Sequence, residues 1–246
     1  MTDIADLTTL FTGPLAPHAG KFLLAKDRPP QMAGTDILDP WKLSELIESF
    51  GARHYPGGDR RAIASIWSKA HFSILMPPYL ILSLVYDRIA NVGLDEIGLS
   101  FGVHGDTQHL HLPDTGKPAG NVGTHDRFAG LMDQHIAPLA NTLNRISSIS
   151  RNVIWSNAGN SFELTLSKIE KAIGKSRGVV QARELLAIRQ LPNRKANPLA
   201  EPVRYLKNED VDCRQRRVCC ARYLIPALSL CSSCPLPRRP DERGSS

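Results

Sequence analysis

The chain is 246 residues long, 42% hydrophobic and 22% charged, with a formal net charge of +6. That length buries one large core, or a core plus a small appended module, and the composition excludes a disordered or fibrous chain. No repeat at solenoid or propeller period runs through it, and its longest apolar stretch, residues 72–86, is too short to span a bilayer and is interrupted by Pro77-Pro78.

Residues 1–34 are rich in proline and glycine, with Pro14, Pro17, Pro29 and Pro30, and read as an irregular segment wrapping the surface. The first ten carry acidic residues, with no basic region leading into an apolar one, so they do not read as a secretory signal. The expectation is a cytoplasmic chain with reduced thiols. Residues 72–86 read as a buried helix, with peripheral membrane contact left open.

Asp39-Pro40 predicts a helix start, Asp39 as N-cap and Pro40 in the first turn, with Trp41, Leu43, Leu46, Ile47 and Phe50 at helical spacing and Gly51 as its end. A second helix is expected from Asp59 to Met76, ended by Pro77-Pro78, with another from Tyr79 to Arg88. Between Ile97 and Leu112 the period changes to two, which predicts a β-hairpin around His104-Gly105-Asp106. Helices follow near 125–148, 150–173 and 178–190, Pro138 kinking or dividing the first. After Pro192, residues 203–206 and 211–218 flank the polar turn Lys207-Asn208-Glu209-Asp210 and read as a second hairpin leading into Cys219. The fold class is α+β: a helix-dominated domain over 35–192 and a small cysteine-rich module with a basic tail over 193–246.

Four of the five cysteines lie within sixteen residues, as Cys219-Cys220 and Cys231-Ser232-Ser233-Cys234. The second pair has the spacing that lets a tight turn aim two sulfurs at one ion. The first does not, because adjacent side chains on extended backbone point to opposite faces. A two-iron cluster has two irons to satisfy and tolerates such a pair more readily. Spacing alone leaves zinc, an iron–sulfur cluster and disulfides open. The surroundings tilt towards iron–sulfur. Two ferric ions, two sulfides and four thiolates sum to about minus two, and Arg216, Arg217 and Arg222 stand ready to offset that charge. Pro235 after Cys234 steers the chain away, as in some ferredoxin runs.

The Cys-Cys-x10-Cys-x2-Cys run, preceded by Arg216-Arg217 and continued by Ala221-Arg222-Tyr223 and Pro226, resembles the FhuF-type ferric siderophore reductases. So do Trp67-Ser68-Lys69-Ala70-His71-Phe72, running into Pro77-Pro78, and Ile154-Trp155-Ser156-Asn157-Ala158-Gly159-Asn160. The resemblance spans roughly residues 60–236 and implies a [2Fe–2S] cluster on Cys219, Cys220, Cys231 and Cys234, in a cytosolic reductase of iron held by hydroxamate siderophores. Cys213 departs from the motif and reads as a half-buried strand residue near the cluster, not a ligand. Arg217 and Arg222 are expected to balance cluster charge or dock a partner. In that setting Trp67 and Trp155 are candidates for a siderophore cleft, although helical apolar faces place such residues in cores more often.

Other features are weaker. Gly98, Gly102 and Gly105 do not form a dinucleotide fingerprint, and Gly174-Lys175-Ser176 ends like a phosphate loop but has Ile169 where its first glycine belongs. Electrons are therefore expected from a partner protein, a ferredoxin or reductase. His104, His109 and His111 suit a half-exposed hairpin better than a second metal site. Asn157 and Asn160 read as caps or as hydroxamate donors, and Lys69 and His71 are ambiguous. The rival reading is a zinc-stapled nucleic-acid-binding or interaction module using the arginine-rich tail. The reductase reading has no nucleic-acid partner.

Overall fold

Asp39 caps helix α1 (Pro40–His54), its carboxylate accepting from the amides of Trp41 and Lys42 at 2.8 and 3.2 Å. The computed structural model describes residues 7–207 and 213–237. Helix α1 runs past Gly51, which serves packing: a Cβ there would lie 2.9 Å from the side chain of Ile63 on the next helix. Trp41 faces outward and is 74% exposed.

Asp59 caps α2 (Arg60–Leu80), whose buried face carries Trp67, Phe72, Leu75 and Met76. This helix does not end at Pro77-Pro78. Both prolines lie inside it, and it continues as a π-helical turn over Ile81–Val85. A proline removes one helical amide and crowds the carbonyl four residues back. Here the carbonyl of Ser73, four residues before Pro77, accepts the Lys21 ammonium at 3.5 Å, and the widened turn absorbs the rest.

The expected hairpin forms. The strands in chain order are β1 (Phe22–Leu24), β2 (Met32–Ala33), β3 (Arg88–Ile89), β4 (Gly98–Phe101), β5 (Thr107–Leu112), β6 (Lys117–Pro118), β7 (Val203–Leu206) and β8 (Cys213–Arg216). Strands β4 and β5 pair antiparallel, with β1 parallel on the far edge of β5 and β2 antiparallel on β4. The first 34 residues thus supply both edges of this sheet, a correction to their reading as a surface wrap. Leu110 and Leu112 on β5 and Phe22 on β1 are fully buried, and Phe22 pairs with Leu110.

Helix α3 (Thr124–Ala129) passes through a π-helical stretch, Gly130–Ile136, into α4 (Ala137–Ser147), so the chain is divided just before Pro138 as expected. Helix α5 (Arg151–Ile173) starts at the Ser150 cap, and α6 (Arg177–Ala187) at Ser176, whose hydroxyl accepts from the Val179 amide. The phosphate-loop mimic is therefore a helix end, Gly174, followed by a helix cap. Strands β7 and β8 form the second hairpin, antiparallel with Val203 opposite Arg216. Its predicted turn lies mostly outside the described residues.

No helix among the described residues is long and apolar enough to cross a membrane.

Candidate metal centre

Strand β8 brings Arg216 against α5. Ala221, just after Cys220, then adopts the left-handed conformation (φ 57°), a turn that costs a non-glycine residue about 1 kcal/mol. It turns the chain away immediately after the adjacent cysteine pair. Cys231 and Cys234 close their own turn, the amide of Cys234 donating to the Cys231 carbonyl at 3.0 Å. The two halves are tied together: the Arg216 amide donates to Ser233 O at 2.9 Å and the Gln215 side chain to Cys234 O at 3.2 Å.

The four thiols fall into two contacts, each taking one sulfur from each half of the motif. Cys219 and Cys234 lie 4.0 Å apart, and Cys220 interacts most strongly with Cys231. All five cysteines are free. Among the described residues no three His, Cys, Asp or Glu side chains converge as ligands of one ion would. The hydrogen bond from Cys231 draws the Cys220 thiol well below its ordinary range against the effect of burial, helped by Lys69, the Arg222 amide and Arg216. Burial pushes Cys219 the other way, to about 11.

Two helices hold this module. Ser65 on α2 donates to the Cys220 carbonyl at 2.7 Å. Asn157 on α5 donates through its amide nitrogen to the Ser65 carbonyl, the Ser65 hydroxyl and the Ser68 hydroxyl, and accepts from Arg216 Nη2 at 2.6 Å. Ser156 accepts from the same Nη2 at 3.1 Å and donates to the Val218 carbonyl. Gly159 lets the module approach, since a Cβ there would stand 2.7 Å from Pro202. Further along, Arg214 pairs with the buried Glu163 at 2.6 Å and donates to Asn160. The two internal segments singled out in the sequence therefore meet at the cysteine module.

Arg216 is the centre's most unusual residue. It is 1% exposed, and its Nε and Nη1 have no hydrogen-bond partner among the described residues. Arg222 Nε is likewise buried and unpartnered. Burial lowers the pKa of Arg216, while Cys220, Cys231 and Cys219 act to raise it, so the charges it faces are the thiols. Buried guanidinium donors normally find acceptors. Thiols beside unspent cationic donors fit an anionic, thiolate-bound cofactor with further acceptor atoms, as an iron–sulfur cluster has.

The sequence expectations land unevenly. Arg217 is exposed and pairs with Glu201 at 2.9 Å. Cys213 is exposed, not half-buried, and lines a cavity beside Cys231. Trp67 is 1% exposed, with its indole N–H donating to the Gly105 carbonyl, and Trp155 packs half-buried against the core. Asn157 caps nothing. It lies mid-helix as the hub just described, on a buried face that also carries Ser156 and Glu163. His111 is fully buried between Ser100 and the Arg28 carbonyl, and His109 bonds the Gly20 carbonyl, so both are engaged in the sheet. His71 is sealed in the core against His135, Nε2 to Nε2 at 2.8 Å. Sequence reasoning missed Ser65 and Glu163 altogether.

The fold and this centre define a mixed α+β protein whose cysteine module is clamped onto its two longest helices. A family described as "Ferric iron reductase FhuF-like transporter" matches residues 65–212, more than half of the chain. The chain belongs to that family, and is accordingly an oxidoreductase. It is also similar to a ferric siderophore reductase of Escherichia coli (strain K12), 23% identical over 190 residues covering 72% of this chain and 67% of that protein. The family match contains Lys69 and Asn157 but ends before the four clustered cysteines, so the case for a metal centre rests on this chain's own geometry.

Proposed function

We propose that the chain reduces ferric iron held by hydroxamate siderophores, releasing Fe2+ in the cytoplasm, with Cys219, Cys220, Cys231 and Cys234 holding a [2Fe–2S] cluster. The observation that carries this reading is the buried Arg216, whose Nε and Nη1 are unpartnered and whose charge is felt by Cys219, Cys220 and Cys231. The family and the named function of the bacterial relative support the siderophore as substrate. Pairing of the sulfurs in twos suits two metal centres better than one tetrahedral ion, which favours iron–sulfur over the zinc-stapled alternative.

The chemistry asks for one electron at low potential. Hard hydroxamate oxygens hold Fe3+ far more tightly than Fe2+, and each tenfold preference lowers the iron potential by about 59 mV. When bound, a thiolate-ligated two-iron cluster supplies such an electron, with plant-type examples near roughly −400 mV. The protein's own residues seat the four thiolates, balance their charge through Arg216 and Arg222, and anchor the module through Asn157 and Ser65. A ferredoxin-type donor or a reductase gives up the electron and Fe3+ gains it. Arg217, exposed and paired with Glu201, is the docking candidate for an acidic donor.

Anaerobically purified protein is expected to be red-brown, to contain about two irons and two acid-labile sulfides per chain, and to show an EPR signal on reduction. With a reduced ferredoxin it should deliver Fe2+ from ferric hydroxamates to a ferrous trap. A colourless, zinc-containing, sulfide-free product would overturn the reading.

A further inference from the structure

Two cavities lie end to end along the seam between α2 and α5. One, of about 520 Å3, has Lys69, Asn160, Arg214 and Cys231 in its wall. The other, of about 580 Å3, is mostly apolar, with Pro77, Ile81 and Ile169 flanked by His18 and Lys168. Leu164 lines both, and it is 42% exposed although large and apolar. Lys69 and Ser73 stand one turn apart on α2, as do Asn160, Leu164 and Lys168 on α5. The cavities are therefore two stretches of one trough, with a cysteine thiol at one end. Each has the volume of an ordinary small-molecule site.

From this geometry we infer that the trough is the seat of the ferric hydroxamate, its iron end against Cys231 and Lys69 and its spacer arms along Leu164 towards Lys168. This rests on the function proposed above and adds where, and by what chemistry, the substrate is recognised. A trihydroxamate chelate of Fe3+ is electrically neutral, with methylene spacers and amide groups. The trough offers an apolar floor for the first and Ser73, Asn160, Ser161 and Thr165 for the second. Among the described residues lining it there is no carboxylate.

Charge selects the class. Arg214 is neutralised by Glu163, and Arg216 faces the thiols. Lys69 has no carboxylate partner among the described residues, and it acts on both Cys220 and Cys231. A cation with no carboxylate partner at the iron end matches the single negative charge that a neutral chelate acquires when Fe3+ takes one electron. It stabilises the reduced complex more than the oxidised one, which eases the transfer. A tricatecholate, at minus three before reduction, would meet too little positive charge there.

The test uses the Ga3+ complex of a trihydroxamate, which has the charge of the ferric complex but accepts no electron, titrated calorimetrically into full-length protein carrying its metal. Wild type is expected to bind it, and Leu164→Trp and Lys168→Glu to weaken binding at least tenfold, with visible spectra and reduction by dithionite unchanged. Val180→Trp, on the exposed face of α6, should bind as wild type does. Lys168 is exposed, so its variant keeps the test decisive if Leu164→Trp misfolds. Unaltered binding by both trough variants, no binding by wild type, or tighter binding of a gallium tricatecholate would each overturn the inference. So would variants that bind the gallium complex normally yet lose ferredoxin-driven reduction, for the trough would then seat the electron donor. If wild type reduces ferric hydroxamates in the ferrous trap while the trough variants do so equally well, the seat is wrong and the reductase reading stands. If wild type reduces none, that reading itself falls.

Discussion

Arg127 and Arg216 are each 1% exposed, and the protein treats their charges in opposite ways. Arg127 spends its donors: Nε on Gln181 at 2.6 Å, Nη1 on the Ser83 carbonyl at 2.8 Å, and Nη2 on the Asp87 carboxylate at 2.6 Å. Arg216 has Ser156 and Asn157 on one nitrogen, no acceptor within the described chain on the other two, and thiols as its facing charges. Burying a cation costs several kcal/mol unless it is paired. Arg127 is thus a complete structural joint between α3, α6 and the turn after α2. Arg216 is complete only once the thiols beside it are anions.

The comparison breaks most visibly at the cysteines. Replacing Cys219, Cys220, Cys231 or Cys234 singly by serine removes part of the negative charge Arg216 faces, and each variant is expected to lose nearly all bound iron and sulfide. Cys213→Ser, on the exposed end of β8, should retain wild-type content. Metal and sulfide analysis of the five variants checks this, and loss of iron in Cys213→Ser would make that residue a ligand.

At Arg127 the matching cut is Asp87→Asn, which removes the carboxylate but keeps a residue that tolerates the positive φ of 50° found there. Leaving a buried guanidinium without its anion typically costs about 3–5 kcal/mol, and the half-exposed position of Asp87 points to the lower end. Chemical denaturation should report that loss with the visible spectrum and metal content unchanged. A loss below about 1 kcal/mol would mean that Gln181 and the Ser83 carbonyl suffice.

How much of this was legible beforehand differs by region. Asp39-Pro40 and the period-two stretch at 97–112 are local signals, and each has its expected structure; the cysteine run is local too, and its thiols come together as contacts between its two halves. The end of α2 was misread because the compensation for Pro77 comes from Lys21, fifty residues away in sequence. The sheet edges were missed because β1 finds its partner β5 still further along the chain, Phe22 opposite Leu110. Among the arginines, the sequence reading favoured Arg217 and Arg222 over Arg216. Arg216 shares its parity with Cys220, the cysteine that is 1% exposed, and that register was the signal for which arginine is buried. Nothing local announces that Asn157 and Ser65 meet, since their contact exists only when α2 packs on α5.

The histidine pair sharpens the contrast from the side of a fully bonded site. His135 Nδ1–H donates to the Val92 carbonyl at 2.7 Å, so its Nε2 accepts from His71 Nε2–H, and His71 Nδ1 accepts the Thr107 hydroxyl at 2.9 Å. Every position in that chain is filled by neutral rings, and a proton has no place in it. Burial lowers His135 to about 4, and His71 lies well below its ordinary value for the same reason. In the unfolded chain both titrate near 6.5, so below that pH the unfolded state binds the extra protons. Stability is therefore full above about pH 6.5 and falls as pH drops towards 4, by on the order of 3 kcal/mol for His135 alone. Denaturation midpoints between pH 7 and 4.5 measure it, and His135→Gln should flatten the slope. A slope unchanged in that variant would assign the acid sensitivity elsewhere.

The smallest expected change is also the most discriminating. Arg216→Met in metal-free protein gives up two hydrogen bonds and leaves the Asn157 carbonyl oxygen unpaired, which costs about 1–3 kcal/mol. It also relieves the burial of a cation whose remaining donors are unspent, a gain of similar size. The two nearly cancel, and the net effect on stability should stay within about 1 kcal/mol. In metal-loaded protein there is no such cancellation, because the cation then opposes the negative charge gathered by four thiolates. The variant should bind iron less stably and show a more negative midpoint potential than wild type, while Arg216→Lys recovers part of the potential without restoring the fork to Ser156 and Asn157. A large loss of stability in the metal-free Arg216→Met chain, with no shift in potential, would place Arg216 in the same class as Arg127.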